Sequence, residues 1–300
     1  MTEIAESAPS APRTQMLTLP GAGPARQTPV RYFLSSPMTV LLLIGLFAMI
    51  VFSFLGPLVS QSPTDTAFDV LSPPDATNLA GTDSLGRDLL SRLMVGGQVS
   101  LFVGAAVAVI CLTLAVTIGG LAGFYGGIAD AVLSRISEFF QVIPGIILAL
   151  VAVAMLGASL PLIIVILSLT MWPGVARIVR AECMRIAELG YVESSRAAGF
   201  RPFRILWSDV LPNAFPPVLV ATTMTVGRAI LAESSLAFLG LGDANAPSWG
   251  ALLYEAQSYM QSAWWLTVFP GVAIFIVVLA ANLLGDRLND SLNPTLSRVK

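Results

Sequence analysis

Six apolar stretches punctuate the chain, at about residues 38–59, 98–124, 139–156, 160–179, 214–236 and 264–284. Each is close to the roughly 20 residues that carry a helix across the hydrocarbon core of a bilayer. Polar segments separate them, and only the link between the third and fourth is short enough for a tight hairpin. The pattern predicts an all-α integral membrane protein with about six transmembrane helices. Gly119 and Gly123 in the second stretch have the small-xxx-small spacing that lets helix backbones approach closely. Pro144 and Pro173 are expected to interrupt the third and fourth, which places both in a bundle interior where neighbours satisfy the freed carbonyls.

The polar segments divide the rest of the chain. Residues 1–37 hold Pro9, Pro12, Pro20, Pro24, Pro29 and Pro37 among Ala, Ser and Thr, which predicts a disordered tail. That stretch is too polar, and the following span too long, for a cleaved signal peptide. Residues 60–97 are acidic, and their "GRDLLSRLMVGG" string reads as a short helix lying at the membrane surface. A core from 98 to 285 follows, interrupted by a long connection at 181–213, and residues 286–300 form a C-terminal tail.

Composition narrows the chemistry. The chain is 55% hydrophobic and only 11% charged, against roughly 25% charged in a soluble domain. Histidine is absent, and Lys300 is the only lysine among 16 basic residues. A phosphate-cradling P-loop needs its lysine, so this chain does not hydrolyse ATP by that device. Histidine metal sites, Ser-His-Asp triads and Schiff-base lysines are excluded with it. Cys111 and Cys183 lie in unrelated surroundings and offer neither a disulfide framework nor a CxxC pair. No catalytic residue, metal ligand or cofactor site is expected in this chain, and no nucleic-acid partner.

Charge sets the expected orientation. With the amino terminus inside, Arg13, Arg26, Arg31, Arg135, Arg177, Arg180, Arg185, Arg196, Arg201, Arg204, Arg287, Arg298 and Lys300 face the cytoplasm, and only Arg87 and Arg92 lie outside. Asp65, Asp69, Asp75, Asp83, Asp88, Asp243 and Glu255 collect on the outer side, and both termini come out cytoplasmic. Arg228 and Glu233 fall within the fifth span, where an unpaired charge costs at least about 2.5–3.5 kcal/mol. They are expected to line a pore, to face each other or to meet a partner subunit. Their five-residue spacing is poor for a direct helical pair.

The connection at 181–213 carries the densest positive charge. Glu193–Ala198 reads as a short helix, Gly199 as its stop, Pro202 as a first-turn proline, Phe203–Val210 as a second helix, and Leu211-Pro212 as its end. A rigid helical corner of this kind can plug into a groove on another protein. The string Glu193-Ser-Ser-Arg-Ala-Ala-Gly199, followed by Leu211-Pro212, resembles the EAA loop of ABC importer permeases. Two positions depart from that pattern: Ser194 and Ser195 replace alanines, and Asp209 stands where isoleucine is usual. "LAGTDSLGRDLLSRL", "IPGIILALVAVAMLG", "ILAESSLAFLGLG", "PSWG" and "NLLGDRLNDSLNP" extend the resemblance, in order, to the dipeptide, oligopeptide and nickel permease family and its second, C-type subunit.

The resemblance implies a type I importer fold in a bacterial inner membrane. It implies a heterodimer with a related permease, two ATP-binding subunits that keep ATP and Mg, and an extracytoplasmic solute-binding protein. Glu193, Arg196, Ala197, Ala198, Gly199 and Phe200, with Leu211 and Pro212, would then couple to an ATPase subunit. Asp83, Arg87, Asp88 and the Pro247–Gly250 stretch with Trp249 would contact the binding protein. A small peptide is the expected cargo, with nickel or another metal chelate, opines, sugars or glutathione as alternatives. A secondary transporter would show inverted repeats and midplane carboxylates, and a membrane enzyme clustered catalytic groups; the sequence displays neither.

Overall fold

The structure, a computed structural model, describes residue 33 and residues 36–58, 60–142 and 144–292. Nearly all of the expected disordered tail and the last eight residues lie outside that range. Five long helices are apolar enough to cross a membrane: α1 (Pro37–Leu58), α2 (Leu89–Tyr125), α5 (Leu160–Ala187), α7 (Pro202–Leu241) and α9 (Trp265–Leu292). Among the described residues a bent pair, α3 (Gly127–Val142) and α4 (Gly145–Leu156), with 73° between the two axes, meets the same length and hydropathy requirement only when the two helices are taken together. Two shorter helices, α6 (Gly190–Ala197) and α8 (Trp249–Ala256), cap the opposite ends of the bundle.

The break between α3 and α4 falls where sequence expects trouble, but the outcome is not one span at 139–156. Pro144 has extended geometry (φ −54°, ψ 121°), has no N–H to give, and disfavours helix in the residue before it. α3 therefore begins a dozen residues earlier than expected and turns sharply into α4. Pro173 behaves differently. α5 runs unbroken through it, with Trp172 and Pro173 both buried against neighbouring helices.

Two further boundaries differ from expectation. The "GRDLLSRLMVGG" string is not a separate surface helix but the first turns of α2. The Asp88 carboxylate caps them, accepting hydrogen bonds from the Ser91 N–H (2.8 Å) and hydroxyl (2.7 Å). Leu211-Pro212 does not end a helix either. A π turn at Leu206–Val210 precedes it, and the Leu211 N–H donates to the Leu206 carbonyl five residues back. That extra residue per turn makes room for the Pro212 ring, so α7 continues to residue 241.

The larger apolar cluster lies between α2, α5 and α7. Val103, Val107, Cys111, Leu167, Trp172, Val179 and Val218 form one buried cluster along their length. The paired glycines of α2 do what their spacing promised. A Cβ on Gly119 would strike the Ala176 carbonyl oxygen, and one on Gly123 the Arg180 carbonyl oxygen, both on α5. A second cluster around Ala80, Leu89, Ile230, Trp249 and Trp265 closes the end carrying α8.

Candidate functional site

α6 and the start of α7 form a corner at the end of the bundle where α2 finishes and α3 begins. The corner is built from local rules. Ala198 ends α6, Gly199 adopts φ +78°, and the chain re-enters helix at Pro202, in the first turn of α7. The Gly199 N–H donates to the Arg196 carbonyl (3.0 Å) and the Phe200 N–H to the Ser195 carbonyl (3.2 Å). This is a Schellman closure, which satisfies the carbonyls that a helix end leaves open. A Cβ on Gly199 would meet nothing within 4 Å, so backbone conformation alone asks for glycine there.

One side of this corner is anchored and the other is free. Val192, Ile205, Leu206 and Val210 are all 1% exposed or less and join the cluster containing Cys183 and Ile186 of α5. The Tyr191 hydroxyl donates to the Asp209 carbonyl at 3.3 Å, tying α6 to α7. Glu193, Arg196, Ala197, Ala198, Gly199 and Phe200 are all exposed. Of the loop's closing pair, Leu211 is buried and Pro212 exposed. The Arg196 guanidinium sits 5.5 Å from the Phe124 ring of α2, and that of Arg204 sits 4.6 Å from the Phe200 ring. Sequence reading missed an aromatic flank: Phe203 and Trp207, with ring centroids 6.0 Å apart, are both exposed beside the corner.

The opposite end holds a different construction. Asp83 is buried and fully engaged. Its Oδ1 accepts from the Leu85 N–H (2.8 Å) and the Arg87 N–H (3.0 Å), and its Oδ2 from Arg87 Nε (2.6 Å) and Arg92 Nη1 (2.7 Å). Arg92 also forks onto Glu255 of α8, with Nη1 to Oε2 at 2.6 Å and Nη2 to Oε1 at 2.8 Å. Burial pushes the Asp83 carboxyl up, but the backbone N–H groups of Arg87 and Leu85 and the two guanidiniums outweigh it. They hold the group below the ordinary carboxylate range.

These contacts correct the expected partner surface. Asp83, Asp88 and Trp249 are 3%, 5% and 0% exposed, so they face inward rather than toward a second protein. The Trp249 indole N–H donates to the Leu93 carbonyl at 2.9 Å, and its backbone N–H to the Ser100 hydroxyl at 3.2 Å. Of the expected set, only Arg87 and Pro247 keep part of their side chains at the surface. Glu255, the residue that locks the 60–88 segment to α8, carries no local sequence signal because its partners lie more than 160 residues away.

Arg228 and Glu233 separate. Arg228 is exposed on α7, whereas Glu233 is 2% exposed and accepts from the Ser234 hydroxyl at 3.3 Å. No ion pair joins the two. Near the corner end, Arg180 of α5 forks onto Asp130 of α3, with Nη2 to Oδ2 at 2.6 Å and a second bond from Nε to Oδ1. Sequence reading left Asp130 unassigned because it placed that residue in a loop.

Known proteins align with this architecture. The family described as "binding-protein-dependent transport system inner membrane component" matches residues 115–298. The dipeptide transport system permease protein DppC of Bacillus subtilis (strain 168) is 39% identical over 262 residues, covering 86% of this chain and 81% of the relative. The glutathione transport system permease protein GsiD of Pectobacterium atrosepticum is 39% identical over 224 residues, covering 74% of each. Among solved structures, a chain of the inward-facing MetNI methionine ABC transporter superposes with a TM-score of 0.55 at 25% identity, covering 67% of this chain and 96% of that one.

Proposed function

The chain belongs to the family of binding-protein-dependent transport inner membrane components, and we propose that it forms half of the translocation pore of an importer for small peptides. It is a permease subunit of an ABC importer of the inner membrane. A related permease supplies the other half of the pore, and two cytoplasmic ATP-binding subunits supply the energy. The corner around Gly199 faces the cytoplasm with both termini, in keeping with the arginine asymmetry, and the Asp83–Glu255 end faces a solute-binding protein. ATP and Mg remain on the partner subunits.

One observation carries the coupling role: the α6–α7 corner is packed against α5 on one side and exposed on the other. A push on its free face moves α5 and α7 together, because Val192, Ile205 and Val210 are packed into the same cluster as Cys183 and Ile186. That is how hydrolysis in a separate subunit would re-aim the pore. The peptide cargo takes its support from the relatives that are named as dipeptide and glutathione permeases.

Reconstitution with the partner subunits tests the reading. A cysteine at Ala197 should crosslink to an ATP-binding subunit, and uptake of a labelled dipeptide should need ATP and survive collapse of the proton gradient. Uptake that stops with the gradient and ignores ATP would overturn it.

A further inference from the structure

α3 is amphipathic in an unusual sense for a membrane-embedded chain. Asp130, Ser134, Ser137, Glu138 and Gln141 recur at helical spacing along one side, while Ile128, Val132, Ile136, Phe139 and Val142 follow the other. The apolar side is the one left open, at 42–85% exposure. The polar side is graded: Ser137 is buried, Asp130 and Ser134 are half-buried, and Glu138 and Gln141 are exposed at the rim. Ser134, Ser137, Glu138 and Gln141 line a cavity of about 200 Å³ together with Gly119 and Ala122 of α2 and Ala176, Arg177 and Arg180 of α5. A cavity with polar walls at the corner end of the bundle holds water or a solute, because leaving its polar groups dry is costly. The volume admits several waters or a small solute, and is below the ~300–1,000 Å³ of sites for drug-sized ligands.

Charge is distributed across this chamber in a specific way. Asp130 neutralises Arg180, and Arg135, outside the cavity, pairs with Glu138 at 2.9 Å on an exposed surface. Arg177 takes part in no ion pair among the described residues. The wall of α5 therefore offers a free guanidinium, and the wall of α3 offers a carboxylate in loose surface pairing, with hydroxyl and amide groups between them. We propose that this chamber is a subsite for a small zwitterionic peptide, with the peptide carboxylate on Arg177 and its ammonium on Glu138. The proposal rests on the peptide reading of the cargo and extends it, because it assigns recognition of both peptide ends to the permease itself. The chamber wall on α5 lies about three helical turns before α6, on the helix against which the corner packs, so occupancy is placed where coupling can sense it.

The test uses the assembled transporter in nanodiscs without its binding protein. Equilibrium binding is measured for labelled dialanine, its C-terminal amide, its N-acetyl form and inorganic phosphate. Dialanine should bind, the amide and the N-acetyl form should each bind about 10-fold or more weakly, and phosphate should not compete. Arg177→Gln should weaken dialanine by a similar factor while erasing the difference between dialanine and its amide; Arg177→Lys should restore part of the affinity. Co-purification of all subunits verifies assembly for both variants. If dialanine does not bind, or binds with no preference over its amide, the subsite is wrong, even though ATP-driven dipeptide uptake with the binding protein restored would leave the function intact. If phosphate alone binds through Arg177, the site serves an oxyanion from hydrolysis and the peptide assignment falls. Absence of dipeptide uptake in the complete system would instead indict the cargo.

Discussion

The two ends of the bundle use the same residue types, arginine and carboxylate, in opposite ways. At the α8 end Asp83, Arg87, Arg92 and Glu255 point at one another, with Asp83 and Arg92 buried and only Glu255 and an edge of Arg87 left at the surface. At the corner end Glu193 and Arg196 stand on an exposed edge, and the apolar residues beneath them provide the rigidity. A saturated ionic lattice fixes a non-helical segment of nearly thirty residues that has little core of its own. The corner keeps most of its polar groups out of ion pairs, as its proposed docking role requires, so its fixity comes from Val192, Ile205, Leu206 and Val210 instead. Substitutions at the two ends should therefore separate stability from coupling.

The largest effect on stability is expected at Asp83. Asp83→Asn places an amide N–H₂ among donors and leaves Arg92 short of a partner, at a cost of about 3–5 kcal/mol for a buried pair broken on one side. Thermal unfolding of the detergent-solubilised protein measures it. The variant also tests the pH dependence. Because the folded state holds the Asp83 carboxyl below its ordinary value, its contribution is complete above the unfolded pKa of about 3.9 and is lost as pH falls through the folded value. The stability gap between the parent and Asp83→Asn should be constant near neutral pH and close below about pH 4. A gap that persists unchanged at pH 3 would show that the lattice is held by something other than this ionised group.

Gly199→Ala comes next. The site has open space but a left-handed backbone, so the substitution should cost about 1–2 kcal/mol from conformation alone. Gly199→Asn should recover most of that, since asparagine tolerates this region. Coupling should suffer more than folding, read as ATP hydrolysed per peptide imported. If Ala and Asn variants behave alike in both measurements, the left-handed geometry is not what fixes the corner.

What sequence made legible at the two ends differs for the same physical reason. Gly199 and Pro202 are local punctuation, so the corner could be read within a dozen residues, and the Gly119/Gly123 spacing likewise announced a close helix contact, though not that α5 would be the partner. The lattice could not be read that way. Asp83, Arg87 and Asp88 look like a solvated acidic loop until Glu255 arrives from a distant helix. Leu211-Pro212 misled because a proline normally ends a helix, and the π turn that accommodates it has no simple residue signature. The polar stripe of α3 was hidden by averaging, since its apolar side and its short length made residues 127–138 look like an ordinary loop before a span.

The smallest effect on folding, and the sharpest on function, is expected at Ala197. This residue lies at the end of α6 on the exposed side, and replacement by arginine adds a good helix former without disturbing a buried contact, so stability should shift by no more than about 0.5 kcal/mol. The added side chain would nonetheless stand several ångströms proud of the surface proposed to dock into the ATP-binding subunit. A helix seated in a groove tolerates such bulk poorly, because the cost includes every neighbouring contact that is pushed apart. Ala197→Arg should thus melt like the parent and yet fail to co-purify its ATP-binding partner. If the variant retains both the partner and transport, the exposed edge from Glu193 to Phe200 is not the docking face. The aromatic flank of Phe203 and Trp207 would then be the surface to probe, by Trp207→Ala with the same two measurements.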